Sequence, residues 1–174
     1  MRRALFTTLL AAGALALPGV ASARGCADAQ ASVASAGTAG QAHAVLCLIN
    51  HARVSHGLPR LRANAALDRA ALGHSGDMVR RRFFDHTSPG GSDPFRRARR
   101  AGYRGLWLGE TIAYGGGSLG TAAVTVRGWL DSPPHRRILL ARDLRDIGIG
   151  IAEGTPDPAA GDDGITVTAD IGAR

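Results

Sequence analysis

The sequence DIGIGIA at residues 146–152 decides the fold class, because it replaces the helical spacing of the preceding chain with strict alternation. Ile147, Ile149 and Ile151 alternate with glycine, a period of two that is typical of a β-strand. A second alternating stretch, ITVTADI at residues 165–171, follows a polar loop over residues 153–164. The two stretches predict a pair of strands joined by that loop.

Upstream of the strands, apolar residues recur at helical spacing. Residues 42–54 predict a first helix that Gly57 ends, and Asn64 is the predicted N-cap of a second helix. One apolar stripe runs along the second helix, formed by Leu67, Ala70, Ala71, His74 and Met78. Short helices are also predicted after Asp93 and over residues 121–130. Helices combined with a small antiparallel sheet indicate an α+β fold, with no internal repeat and no second domain.

The composition is that of a soluble globular chain. Its 174 residues fit one domain and are too few for a barrel of eight strand–helix units, which needs roughly 250. Apolar residues make up 45% and charged residues 20% of the sequence, which excludes a wholly disordered chain. The net charge is +7, and all 21 basic residues are arginine. This bias would suit phosphate ligands, but it equally follows from a composition that also gives 24 glycines.

The first 23 residues have the three parts of a secretory signal peptide. Residues 1–3 contain the basic pair Arg2-Arg3, residues 4–17 are apolar, and Ala21-Ser22-Ala23 is a small-residue cleavage site. We therefore expect cleavage near Ala23 and a secreted mature chain that is extracellular or periplasmic. No later apolar run approaches 18 residues, so the mature chain is not expected to contain a transmembrane span.

The two cysteines, Cys26 and Cys47, form an even pair in a chain that is expected to be exported. Disulfides persist outside the cytoplasm, so the pair predicts a bridge, and two unrelated thiols are the alternative. The bridge would join an Ala/Ser/Gly-rich leader, residues 24–41, to the first helix of the domain, residues 42–174. That domain is expected to be a monomer.

The stretch GGSLG at residues 116–120 matches the nucleophile motif of serine hydrolases, and Asp131 and His135 follow in the matching order. Asp131 and His135 are only four positions apart around two prolines, however, and the downstream sequence does not predict a parallel sheet. We therefore interpret residues 116–120 as a glycine-rich connector. The sequence contains no metalloprotease HExxH motif, no phosphate-binding P-loop and no dinucleotide-binding motif.

Three polar residues differ from their surroundings. His86 and His135 each lie in a turn rich in proline or glycine, where binding residues concentrate. Glu110 is the one acid in an apolar segment and therefore needs a partner. The three residues are 24 and 25 positions apart, so no local ligand spacing joins them. His74 is expected to be half-buried and hydrogen-bonded. His43, His51 and His56, on or just after the first helix, are expected to be surface or capping residues.

Two arginine clusters add to the positive charge. One covers residues 80–82, and the other consists of Arg96, Arg97, Arg99 and Arg100. No nucleic-acid-binding module accompanies them, so nucleic acid is not an expected partner. In an exported chain they indicate a solvated face, or a contact with anionic cell-envelope polymers or lipids.

Four motifs, taken in order, resemble the bacterial SCP-like branch of the CAP superfamily, which includes cysteine-rich secretory, antigen 5 and pathogenesis-related proteins. The motifs are FFDHTSPGG at 83–91, GETIAYG at 109–115, WLDSPPHRRILL at 129–140 and DIGIGIA at 146–152. The resemblance extends from about Leu46 to Gly172. It implies a three-layer α-β-α sandwich with a central cleft, in which His86, Glu110 and His135 face each other.

The sequence departs from the family pattern at three positions. Thr111 stands where Asn usually follows the cleft Glu, and Pro134 replaces the Gly before the second His. Ser132 occupies the position of the second cleft Glu of animal members. The three remaining polar groups could hold Zn²⁺ or another divalent cation with an open coordination position, or they could hydrogen-bond one another.

These features predict an exported CAP domain that acts in the cell envelope or outside the cell. Its His/Glu cleft is expected to bind a ligand or a divalent cation. One alternative is a metal-dependent hydrolase of envelope peptide or glycan, with Glu110 as general base. The other is a non-catalytic domain in which His86, Glu110 and His135 only tie loops together.

Overall fold

The computed structural model describes residues 25–161 and 163–173. Its helices and strands, in chain order, are α1 Val33–Ser55, β1 Arg62–Ala63, α2 Ala65–Arg81, α3 Pro94–Arg100, β2 Trp107–Gly115, α4 Ala122–Asp131, α5 Pro133–Leu139, β3 Asp146–Glu153 and β4 Ile165–Ala173. None of the helices in these ranges is long and apolar enough to cross a bilayer. The predicted signal peptide, residues 1–23, lies outside the described residues.

The predicted helix starts are confirmed by side chains that cap them. The side chain of Asn64 accepts hydrogen bonds from two backbone N–H groups of α2, and that of Asp93 accepts one from α3. Thr121 caps α4 in the same way. Each cap satisfies N–H groups that the first turn of a helix leaves without a partner. The caps therefore fix where these helices begin.

The four strands form one sheet in the order β1-β3-β4-β2. The two predicted strands, β3 and β4, pair antiparallel, and β2 pairs antiparallel with the other side of β4. The short β1 pairs parallel with β3, so the sheet is mixed rather than wholly antiparallel as predicted. Strand β1 lies between α1 and α2 and pairs along the outer edge of β3. Its two residues are too few to show an alternating pattern, so the sequence did not predict this strand.

Helices cover both faces of the sheet, which confirms the three-layer α-β-α sandwich. On one face, isoleucine and valine side chains of β3 and β4 pack against α1, α4 and α5 in the main hydrophobic core. On the other face, α2 lies across β3 and β4, with α3 beside it. Burying both faces means that the polar positions of the alternating strands are also inside the protein.

The glycines of β3 allow α2 to lie directly on the sheet. A Cβ atom at Gly148 would lie 2.1 Å from the backbone carbonyl carbon of Leu67, and one at Gly150 would lie 2.0 Å from the backbone nitrogen of Leu72. At this short distance the helix bonds to the strand: Asp68 accepts a hydrogen bond from the backbone N–H of Ile149 at 2.9 Å. Alternation of isoleucine with glycine therefore serves the core on one face and close helix packing on the other.

The first helix begins earlier than predicted. α1 starts at Val33 rather than at residue 42, so the second half of the predicted leader is helical. At Gly37 the backbone leaves the helical region (φ 67°, ψ 168°), and this kink separates a short first turn from the rest of α1. A left-handed φ of this kind is one that glycine adopts without steric cost. The fully buried Gln41 then donates a hydrogen bond to the carbonyl of Ala31 at 2.5 Å.

The predicted disulfide is confirmed: Cys26 and Cys47 are bonded, with their Cα atoms 5.8 Å apart. Cys26 lies with Ala29 and Ala123 in a small hydrophobic cluster against α4. The bridge therefore fixes the segment before α1 to the side of the helix layer.

Reduction of this disulfide is expected to lower the free energy of unfolding by about 2–4 kcal/mol, because the unfolded chain regains the freedom that the closed loop had removed. Urea denaturation with and without a reductant measures the difference, and a Cys26→Ser/Cys47→Ser double variant should reproduce the reduced value. Two titratable thiols in unreduced, exported protein would contradict the account.

Candidate functional site

The candidate site is centred on Glu110, which lies on β2 and faces α2. Its side chain is only 1% exposed. The Oε1 atom accepts a hydrogen bond from Nδ1 of His86 at 2.7 Å, and Oε2 accepts one from Nη2 of Arg97 at 2.5 Å. A buried carboxylate is stable only when it is paired in this way. Glu110 was expected to need a partner, and it has two, His86 and Arg97.

Arg97, on α3, holds the loop that carries His86. Its Nη1 atom donates to the backbone carbonyl of His86 at 2.9 Å and to that of Ser92 at 2.7 Å, while Nη2 reaches Glu110. Only 10% of the side chain is exposed. The prediction that Arg97 belongs to a solvated or polymer-binding face is therefore wrong, because the inner side of α3 turns this one arginine toward the buried acid.

His86 lies in the loop between α2 and α3, and its side chain is 47% exposed. The hydrogen bond to Glu110 raises the pKa of His86. Because Nδ1 donates to the carboxylate, the neutral ring carries its lone pair on Nε2, which has no hydrogen-bond partner within the described ranges. Glu110 therefore fixes both the orientation and the tautomer of His86.

His135 lies in the first turn of the helix α5, not in a free turn as predicted. Pro133 and Pro134 occupy the first helical positions, where a fixed φ suits the helix and a missing N–H is not needed. The Nδ1 atom of His135 is buried and has no hydrogen-bond partner among the residues described. Burial, and next the charge of His86, lower the pKa of His135. The charge of His86 therefore acts on His135, but within the described part of the chain His135 makes no hydrogen bond to Glu110.

His74 is a third histidine near Glu110, and the sequence analysis did not connect it with the site. It is fully buried on α2, where a half-buried position was predicted. Its Nε2 atom lies 3.0 Å from the carbonyl oxygen of Asp85 and 3.8 Å from Oε1 of Glu110. Burial lowers the pKa of His74, which favours a neutral ring that donates to the Asp85 carbonyl. The periodic apolar stripe on α2 indicated that His74 is buried. It did not show that Glu110 lies opposite His74.

Asp170, on β4, is the second residue that the sequence analysis missed. It lies directly across from Glu110 in the strand register and is fully buried. Burial, and next the charge of Glu110, raise the pKa of Asp170 well above its usual range. The raised pKa favours the protonated form of Asp170. In the sequence, Asp170 lies on the polar side of an alternating strand. A three-layer sandwich buries that side as well, and this was the available indication that Asp170 is buried.

Some of the polar atoms of the site are suited to bind a divalent cation, and others are already engaged. His86 and His135 each offer a ring nitrogen with no partner in the described ranges, and neutral imidazole is a preferred Zn²⁺ ligand. Both oxygens of Glu110 are already engaged, so this residue orients His86 rather than offering a free ligand atom. In the described residues, Cys26, Cys47 and His51 are the one group that brings three donor atoms within 4.8 Å of one another, and both sulfur atoms are in the disulfide. The donor atoms of His86, Glu110 and His135 do not come this close together.

The GGSLG stretch forms a short turn between β2 and α4, with residues 117–119 in a 3-10 helix. Within the described ranges, no hydrogen bond joins Ser118 to His135, although His135 would be the base in the serine-hydrolase interpretation. Residues 116–120 are the connector that the sequence analysis favoured.

The sequence profile of the CAP family, described as the cysteine-rich secretory protein family, matches residues 46–168. The chain is 36% identical over 107 residues to an uncharacterized membrane protein of Bacillus subtilis, YlbC, a match that covers 62% of this chain and 30% of YlbC. It is 33% identical over 109 residues to the uncharacterized B. subtilis protein YkwD, covering 63% of this chain and 41% of YkwD. The chain therefore spans less than half of the length of these curated relatives.

Among solved structures, the fold is similar to that of an extracellular protein containing an SCP domain from Bacillus anthracis. The TM-score is 0.68 at 26% identity, over 79% of this chain and 41% of that chain. The profile match covers well over half of the sequence, and the α-β-α sandwich agrees with it. The chain belongs to the cysteine-rich secretory protein (CAP) family, in its bacterial branch.

Proposed function

We propose that this chain is a CAP domain whose cleft binds a divalent cation such as Zn²⁺ through His86 and His135. The observation that carries the proposal is the 2.7 Å hydrogen bond from Nδ1 of His86 to the buried carboxylate of Glu110. A carboxylate in this position orients a histidine ligand and makes the other ring nitrogen a better metal ligand. His135 supplies the second ring nitrogen, and further coordination positions stay open for water or for a ligand from solution.

The hydrolase alternative would use Glu110 as the general base. A general base must reach the proton that it removes, directly or through one water molecule. Both oxygens of Glu110 already accept hydrogen bonds, and the side chain is 1% exposed. This arrangement weighs against a role for Glu110 in proton transfer. We therefore propose binding rather than hydrolysis.

We also propose that the chain is exported and acts in the cell envelope or outside the cell. Residues 1–23 have the pattern of a signal peptide, and a disulfide is typical of exported proteins. The similarity to a B. anthracis protein described as extracellular supports the same location.

Addition of Zn²⁺ is expected to raise the Tm of the purified mature chain, because a ligand that binds only the folded state stabilises it by RT ln(1 + [L]/Kd), about 2.7 kcal/mol at 100 times Kd. His86→Ala and His135→Ala should each abolish the increase. His43→Ala is the matched control, since His43 is an exposed histidine on α1. The increase should grow as the pH is raised through the pKa of His86, because only the deprotonated ring nitrogen binds a cation and the bond to Glu110 raises that pKa.

Differential scanning fluorimetry distinguishes this proposal from the structural alternative. If Zn²⁺ leaves the Tm unchanged while His86→Ala lowers it, the His/Glu group only ties loops together. An increase that persists in both histidine variants would place the cation elsewhere and overturn the assignment.

A further inference from the structure

A groove between α2 and α3 is lined in part by His74 and Arg97, which surround Glu110, but neither His86 nor His135 lines it. It is an open depression of about 400 Å³, a volume within the range of small-ligand pockets. Arginines from both helices line it: Arg80 and Arg81 at the end of α2, and Arg97 and Arg100 on α3. The third side is formed by Ser88, Gly90 and Ser92, from the loop that also carries His86.

The groove has an excess of positive charge. Arg97 is neutralised by its pair with Glu110. Arg80 and Arg81 share a single acid, Asp77, at 3.8 and 3.5 Å, and their side chains are 69% and 46% exposed. The guanidinium of Arg100 meets only a neutral partner in the described structure, the Ser92 hydroxyl at 3.2 Å. Three free or shared arginines against one aspartate leave two uncompensated positive charges.

The walls of the groove leave space for a ligand near these guanidinium groups. Two of its lining residues, Gly73 and Gly90, have no side chain. Apart from their chain neighbours and the backbone of α2 around Gly73, no atom of the described residues lies within 4 Å of the position that a Cβ would take at either residue. Ser88 and Ser92 add hydroxyl groups to the lining. Planar guanidinium groups bind phosphate oxygens through paired N–H donors, and a phosphate dianion carries twice the charge of a carboxylate.

We propose that the α2–α3 groove binds phosphate groups, with Arg80, Arg81 and Arg100 as the charged contacts. Two uncompensated positive charges match one phosphate dianion or two neighbouring phosphodiesters of an envelope polymer. The assignment does not depend on the cation site, because none of these three arginines contacts His86 or His135 in the described residues.

Isothermal titration of the mature chain with pyrophosphate at low ionic strength is expected to show saturable binding that weakens as salt is added, since exposed charges are screened. Arg80→Gln/Arg100→Gln should weaken this binding at least tenfold. Arg60→Gln/Arg127→Gln removes the same charge from exposed positions outside the groove and should change it less than twofold. A poly(glycerol phosphate) polymer that binds more tightly than pyrophosphate would identify the polymer as the source, and the reverse order would identify a free phosphate.

Two results would overturn the assignment. Equal weakening in the groove pair and the control pair would mean that only net charge attracts the anion. Acetate that binds as tightly as pyrophosphate would mean that the groove does not select phosphate. Measuring His86→Ala in parallel separates the two sites, because this variant should lose the effect of Zn²⁺ and keep the binding of pyrophosphate.

Discussion

Replacement of Arg97 by methionine should lower the free energy of unfolding by about 3–5 kcal/mol, because it leaves a buried carboxylate without its charged partner. The Glu110 side chain is 1% exposed, so water cannot take the place of the guanidinium. The variant also loses the two hydrogen bonds that tie α3 to the loop carrying His86. Chemical denaturation followed by tryptophan fluorescence measures the loss.

The neighbouring Arg96 provides the matched control for this prediction. It lies on the same helix but is exposed, so Arg96→Met should change stability by no more than about 0.5 kcal/mol. Removing both charges, in Arg97→Met/Glu110→Met, should restore a large part of the loss, since the destabilising feature is the unpaired charge. If Arg97→Met proves as stable as Arg96→Met, the buried ion pair does not hold the site together.

Gly150→Ala should also lower the free energy of unfolding strongly, for a steric reason. A methyl group at this position would lie 2.0 Å from the backbone nitrogen of Leu72 and 2.2 Å from the carbonyl carbon of Ala71. Backbone of a packed helix cannot turn aside as a flexible side chain can, so α2 must move off the sheet. We expect a loss of about 3 kcal/mol, at the upper end of typical overpacking costs.

Gly128→Ala tests the same substitution where space is available. Gly128 lies within α4, and no atom is found within 4 Å of the position of its Cβ. Alanine is the better helix former, so this variant should gain roughly 0.5–1 kcal/mol. Thermal unfolding of the two variants compares them directly. A Gly150→Ala protein with unchanged Tm would show that α2 does not lie against β3 as described.

The sequence predicted those parts of the fold that a local pattern determines. The alternation around Ile149 marked β3, and the side chain of Asn64 marked the start of α2. Neither β1 nor β2 was identified. β1 has only two residues, and β2 lies at the sheet edge, where half-exposed Trp107 and buried Glu110 obscure the alternation.

The candidate site was predicted only in part, because its contacts are long-range. Resemblance to the family selected His86, Glu110 and His135, and the first two are hydrogen-bonded. Arg97 belongs to a run of arginines, and their spacing alone does not show which of them points into the protein. Asp170 occupied a position that alternation assigns to solvent, and it is buried because α2 covers the second face of the sheet.

The proposed cation site consists of His86 and His135, with Glu110 behind His86 as the orienting group. Anomalous diffraction from crystals of the mature chain grown with Zn²⁺, recorded on both sides of the zinc absorption edge, tests it most directly. We expect one anomalous peak that contacts Nε2 of His86 and the ring of His135, while Nδ1 of His86 stays hydrogen-bonded to Glu110. A peak at His43 or His51 alone, or no peak in the cleft at a saturating Zn²⁺ concentration, would contradict it.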